Sequence, residues 1–154
     1  MSKNGDFRVI PSIFTVILKD GKVLMLRRYK TGWMDGFYDL PAGHLEEQER
    51  LEVGAARELM EETSLSVKPE DLKLVHVYQN FHQPASPHFG FIFLAKAWSG
   101  TPKLMEVDKS DDLDFFPLDK LPPKTTPYVR YALGKLDSDK VTTSYQEPGS
   151  IKTD

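Results

Sequence analysis

The sequence predicts a mixed α/β domain whose strands and helices layer around one core. Three observations carry that reading. Short segments rich in Val, Ile and Phe recur on both sides of one strongly helical stretch, Leu51–Thr63. A second helix is expected near the C-terminus, over about 127–136. A chain of 154 residues, 40% hydrophobic and 28% charged, suits a single soluble domain with a real core. That domain is placed at residues 1–137, with a polar tail over 138–154.

Residues 7–18 favour a strand, and Pro11 marks its first half as an edge or a bulge. Asp20-Gly21 then signals a tight hairpin into a second strand over 23–26. Arg27, Arg28 and Lys30 close that strand, where they either bind phosphate or stand in water. Residues 31–37 (TGWMDGF) read as a loop and 38–40 as a short extended segment. Trp33 and Tyr38 either stack on a base or belong to the core and its rim.

The helical stretch is dominated by Leu, Glu, Ala, Arg and Met and holds no proline. Leu51, Ala55 and Leu59 fall at helical spacing and face a core. Gly54 is its weak position, costing about 1 kcal/mol relative to alanine. Glu58, Glu61 and Glu62 share one side of the helix. Like charges so spaced repel by roughly 0.2–0.5 kcal/mol per pair. A hard divalent cation reverses that sign, because Mg2+ binds carboxylate and phosphate oxygen. Arg57, four residues before Glu61, is placed to hold a carboxylate. The loop 40–44 (LPAGH) feeds the helix N-terminus, a place for a metal–diphosphate complex. A solvated acidic face is the alternative reading of the three glutamates.

Beyond the helix, 67–73 turns around Pro69, and 72–81 reads as a strand. A Pro-rich loop at 83–87 leads to 88–98, the most apolar segment and the expected central strand. His82 and His88 flank that loop. No carboxylate or cysteine adjoins them, so they read as surface or substrate-rim histidines rather than metal ligands. Residues 103–114 are acidic and without period, and 115–118 form a short strand. Residues 141–143 offer a further edge strand.

Gly43, Glu49, Arg57, Glu58, Leu59, Glu61, Glu62 and Leu65 follow the pattern G-x5-E-x7-R-E-U-x-E-E-x-G-U, where U is bulky and aliphatic. This stretch resembles the signature of the Nudix hydrolases. Ser64 stands where the pattern has glycine. It carries no catalytic group and follows the helix where a left-handed residue would cap it, so its cost is to local stability.

The resemblance implies an α/β/α sandwich with a mixed sheet between helices. It implies hydrolysis of a nucleoside diphosphate linked to another moiety, X, with Mg2+ as cofactor and Mn2+ as its substitute. The metal ligands implied are the Gly43 carbonyl, Glu49, Glu58, Glu61 and Glu62. Glu58 and Glu61 are the implied catalytic carboxylates, with Arg57 orienting them. Arg27, Arg28, Trp33, Tyr38 and Phe81 are the candidate substrate-binding residues. A further ligand or general base is expected from Glu106, Asp111 or Asp112, whose plainer reading is a hydrated acidic loop. Nucleoside triphosphates, oxidised ones included, come first as substrates, giving a monophosphate and diphosphate. Nucleotide sugars such as ADP-ribose and CDP-alcohols are the alternative. A non-catalytic nucleotide-binding module is the reading of another class, disfavoured because the glutamates of the motif are all present.

The net charge of −3 gives no bias toward nucleic acid. The absence of cysteine excludes disulfides, thiolate nucleophiles and cysteine-bound zinc. No secretory signal or membrane span is read, and a cytoplasmic location is expected. A homodimer is a further expectation of the resemblance.

Overall fold

The computed structural model describes residues 7–81 and 87–147. The expected His82, the loop residues 83–86 and the tail residues 148–154 lie outside them. In chain order the elements are β1 (Ile10–Val16), β2 (Leu18–Lys19), β3 (Lys22–Arg28), β4 (Tyr38–Asp39), β5 (Ala42–His44), α1 (Leu51–Thr63), β6 (Leu72–Asn80), β7 (His88–Ala95), β8 (Ser110–Pro117), α2 (Pro127–Leu133) and β9 (Thr142–Gln146).

Five strands form a mixed sheet in the order β5-β1-β7-β6-β9. β1 runs antiparallel to β5 and parallel to β7, while β6 runs antiparallel to β7 and parallel to β9. β7 is central, as its apolar run predicts. The other strands form an antiparallel sheet of β2, β3 and β4, with β8 also on β3. The β2–β3 turn puts Asp20 and Gly21 at φ 50° and 73°, the left-handed pair that a tight hairpin needs.

Two apolar clusters lie on opposite faces of the mixed sheet. Ile13, Ile17 and Phe93 pack with Ala55 and Leu59 of α1. Phe14, Val16 and Ile92 pack with Tyr128, Val129 and Ala132 of α2. Adjacent residues of β1 therefore serve different helices, as strand alternation requires. Gly54 has a reason within this packing. A Cβ there would fall 2.6 Å from Ile13 Cδ1, so the glycine lets α1 settle close on β1.

Three segments depart from the sequence reading. The acidic stretch ahead of 115 is part of a strand, because β8 begins at Ser110 and pairs along β3. That pairing is non-local and leaves no periodic trace. The last helix stops at Leu133, one residue before Gly134. The polar tail contributes β9, wider than the expected 141–143, as an edge strand on β6.

Candidate active site

A cavity of about 520 Å³ is walled by both sheets, α1, Tyr128 of α2 and the loop before β8. Its α1 wall carries Glu58 and Glu62, beside the backbone of Gly43 on β5. A Cβ at position 43 would lie 1.9 Å from Glu58 Cδ, so only glycine leaves room for that carboxylate. Ala42 N–H donates to Glu62 Oε2 at 2.8 Å. Burial raises the Glu58 pKa, against the opposing pull of Arg57, and raises that of Glu62 well above the ordinary value.

Arg57 gathers the rest of the motif. Its Nε and Nη2 donate to the two Glu49 oxygens at 2.8 and 2.9 Å, and its Nη1 to Glu58 Oε1 at 2.8 Å. Nη1 also reaches Glu61 at 3.4 Å, and Nη2 the His44 carbonyl at 3.1 Å. Hydrogen bonding to Arg57 holds the Glu49 pKa down to about 2. Glu49 and Glu61 do not line the cavity; Glu61 is half exposed beside it. Ser64 ends α1 at φ 62°, in the left-handed cap position.

The loop before β8 is tied to the end of α1. Met105 N–H donates to the Glu62 carbonyl, and Lys103 N–H to that of Thr63. This brings Glu106 to the cavity, where its charge adds to the raised pKa values of Glu58 and Glu62. Lys109 Nζ stands 3.1 Å from Glu106 Oε1 on the same wall.

Strand alternation sorts the remaining expected residues. Leu26, Arg28 and Asp39 face the cavity, and Arg27 and Tyr38, paired in register on β3 and β4, face away. Tyr38 donates to Asp112 and Arg27 pairs with Asp111 at 2.7 Å, so these four residues occupy each other outside the cavity. Phe81 packs against Phe7 and Tyr145 and does not line it either. Arg28 and Trp33 do line it. Arg28 donates to the Trp33 carbonyl and Thr31 Oγ1, lies over the Trp33 ring, and stands 3.7 Å from buried Asp39.

The sequence reading did not single out Ser12, Asp39, Asn80, Lys109 or Tyr128 as site residues, and it treated His88 as a rim histidine only. Asp39 carried a faint signal, being part of the extended segment before the motif. Ser12, Asn80 and His88 reach the cavity through long-range strand register, Lys109 through the loop before β8 and Tyr128 through the packing of α2, none of which a local pattern encodes.

Among the described residues, no three acidic or imidazole side chains stand close enough together to enclose a metal by themselves. Mg2+ rarely asks for such a cage; it keeps waters and takes one or two carboxylates plus substrate phosphate. The donors present fit that demand. Glu62 is a partly buried carboxylate without an ion pair among the described residues, and its oxygens share the cavity with those of Glu58 and Glu106.

The sequence matches the NUDIX domain family over residues 7–135, and the chain belongs to that family. It is 32% identical over 87 residues to the phosphatase NudJ of Escherichia coli K12, a match covering 56% of this chain. The chain spans about half the length of the curated relatives it matches, 54% in this case. Among solved structures it resembles a MutT NUDIX hydrolase from Burkholderia pseudomallei, at TM-score 0.78 and 27% identity, over 84% of this chain and 99% of that one. An ADP-ribose pyrophosphatase from Streptococcus suis shares the fold at TM-score 0.60 and 17% identity, over 90% of this chain and 100% of that one. Among the described residues no helix is long and apolar enough to cross a membrane.

Proposed function

We propose that the chain is a Mg2+-dependent hydrolase of a nucleoside diphosphate linked to X, breaking a P–O–P bond by attack of water. The observation that carries this is the pair of partly buried carboxylates, Glu58 and Glu62, turned into the cavity beside the Gly43 backbone. Buried like charges of that kind are costly alone and favourable around a cation. Glu58, Glu62 and the Gly43 carbonyl would hold Mg2+, or Mn2+ as its substitute, with Glu61 and Glu49 held nearby by Arg57. The metal supplies charge neutralisation of the diphosphate and polarisation of the attacked phosphorus.

The chain's own groups do the rest. Arg57 fixes Glu58 and Glu49 in place through its fork of hydrogen bonds. Glu106 takes the proton of the attacking water, because among Glu106, Asp111 and Asp112 it alone lines the cavity. The new bond joins water oxygen to phosphorus, and the bridging oxygen leaves with the second phosphate. Nucleoside triphosphates rank first as substrates, as the resemblance of the motif implies. Nucleotide sugars and CDP-alcohols rank second, since the distant ADP-ribose pyrophosphatase shares only the fold.

The test is a screen of purified protein against these classes with and without Mg2+, following monophosphate release. Metal-dependent turnover of one class supports the reading and names X. A folded protein that turns over none of them moves the weight to a nucleotide-binding module.

A further inference from the structure

A row of uncharged hydrogen-bonding side chains crosses the cavity floor. His44 on β5 stands opposite Ser12 on β1, and Asn80 on β6 stands opposite His88 on β7. All four line the cavity, and their strands are neighbours in the sheet. Ser12 and Asn80 are buried, and Ser12 Oγ lies 3.0 Å from His88 Nδ1. The His44 and His88 rings are 5.6 Å apart.

Between these residues the floor is cleared by Gly90. A Cβ there would fall 1.8 Å from the Tyr78 ring, so the tyrosine lies across the gap, where it stacks on Tyr128 and meets Phe14 edge to face as a buried apolar backing to the polar row. The row thus offers donors and acceptors against an apolar backing. Serine, asparagine and imidazole supply both kinds of hydrogen bond, and no lysine or arginine stands in the row. That composition suits a neutral ring with a mixed edge and does not suit phosphate.

Position agrees with composition. The row starts at His44, the residue after Gly43, where the diphosphate is placed. Four neighbouring strands span about 14 Å at the usual strand spacing, enough for the sugar and base of one nucleotide. The cations of the cavity, Arg28 and Lys109, belong to other walls, on β3 and in the loop before β8.

We infer that His44, Ser12, His88 and Asn80 form the nucleobase subsite, reading the hydrogen-bonding edge of the base. This rests on the proposed reading of the cavity as a nucleotide site and adds which part of the nucleotide lies where.

The experiment measures binding by isothermal titration in Mg2+, so it needs no turnover. The probes are the four common nucleoside 5′-monophosphates and ribose 5-phosphate, which lacks a base. Wild type is expected to bind at least one nucleotide about ten-fold more tightly than ribose 5-phosphate. Ser12→Ala and His88→Gln, each checked for an intact melting transition, are expected to lose most of that margin and leave ribose 5-phosphate binding unchanged. Equal binding of nucleotide and ribose 5-phosphate by wild type, or an unchanged margin in both variants, overturns the inference. Base-dependent binding without hydrolysis of any substrate in the screen would overturn the proposed reaction and leave this subsite standing.

Discussion

Gly43 and Glu58 are fitted to each other: a Cβ on the first would lie 1.9 Å from Cδ of the second. The atoms met are the end of a flexible side chain, so the fold yields easily and the carboxylate does not stay in place. Gly43→Ala is therefore expected to melt near wild type and to lose about ten-fold or more in kcat/KM. Thermal melting together with steady-state kinetics checks both halves.

Arg57 hydrogen-bonds three carboxylates and the His44 carbonyl, a geometry that needs a planar fork. A lysine keeps the charge but not the fork. Arg57→Lys should lower kcat by about 10–100-fold. Activity within two-fold of wild type, measured at saturating Mg2+, would show that charge alone suffices.

Ser64 holds a left-handed conformation, φ 62°, that glycine adopts without cost. Ser64→Gly should stabilise the protein by up to about 1 kcal/mol, or about 2–4 °C in Tm. Its side chain touches no reacting group, so kcat should be unchanged. A lower Tm in the glycine variant would contradict the account.

His76 ties β9 to the sheet through Thr142 Oγ1 at 2.7 Å and Ser144 Oγ at 2.8 Å. Burial lowers its pKa below the ordinary imidazole value. The fold therefore favours the neutral ring. Its contribution is complete above the unfolded pKa of about 6.5 and is lost as pH falls from there toward the lowered folded value. Melting curves between about pH 5 and 7.5 should show wild type losing stability on acidification more than His76→Gln does. Parallel curves for the two proteins would remove His76 as the cause.

How far the chain could be read in advance depended on how local each feature was. Leu51–Thr63 and its Ser64 cap are set by neighbours within one turn, and both were legible. The hairpin at Asp20-Gly21 was legible for the same reason. Which of Arg27 and Arg28 faces the cavity was not, because the answer depends on pairing with β4 and on a bulge between the two residues against β8. Tyr38 and Asp112 lie far apart in sequence and satisfy each other outside the cavity, which no spacing reveals. The row from His44 to Asn80 is assembled from four strands and has no signature in any one of them.

Glu62 distinguishes a metal-holding carboxylate from a merely structural one. It is a partly buried carboxylate whose pKa burial raises well above normal, so its charged form is costly in this wall and is favoured by a bound cation. The measurement is monophosphate release by wild type and Glu62→Gln at saturating Mg2+, with the Tm of each. The account predicts metal-dependent turnover by wild type, a loss of about 100-fold in the variant, and a Tm equal to or above wild type. Turnover retained in Glu62→Gln, in a protein that remains folded, would contradict it.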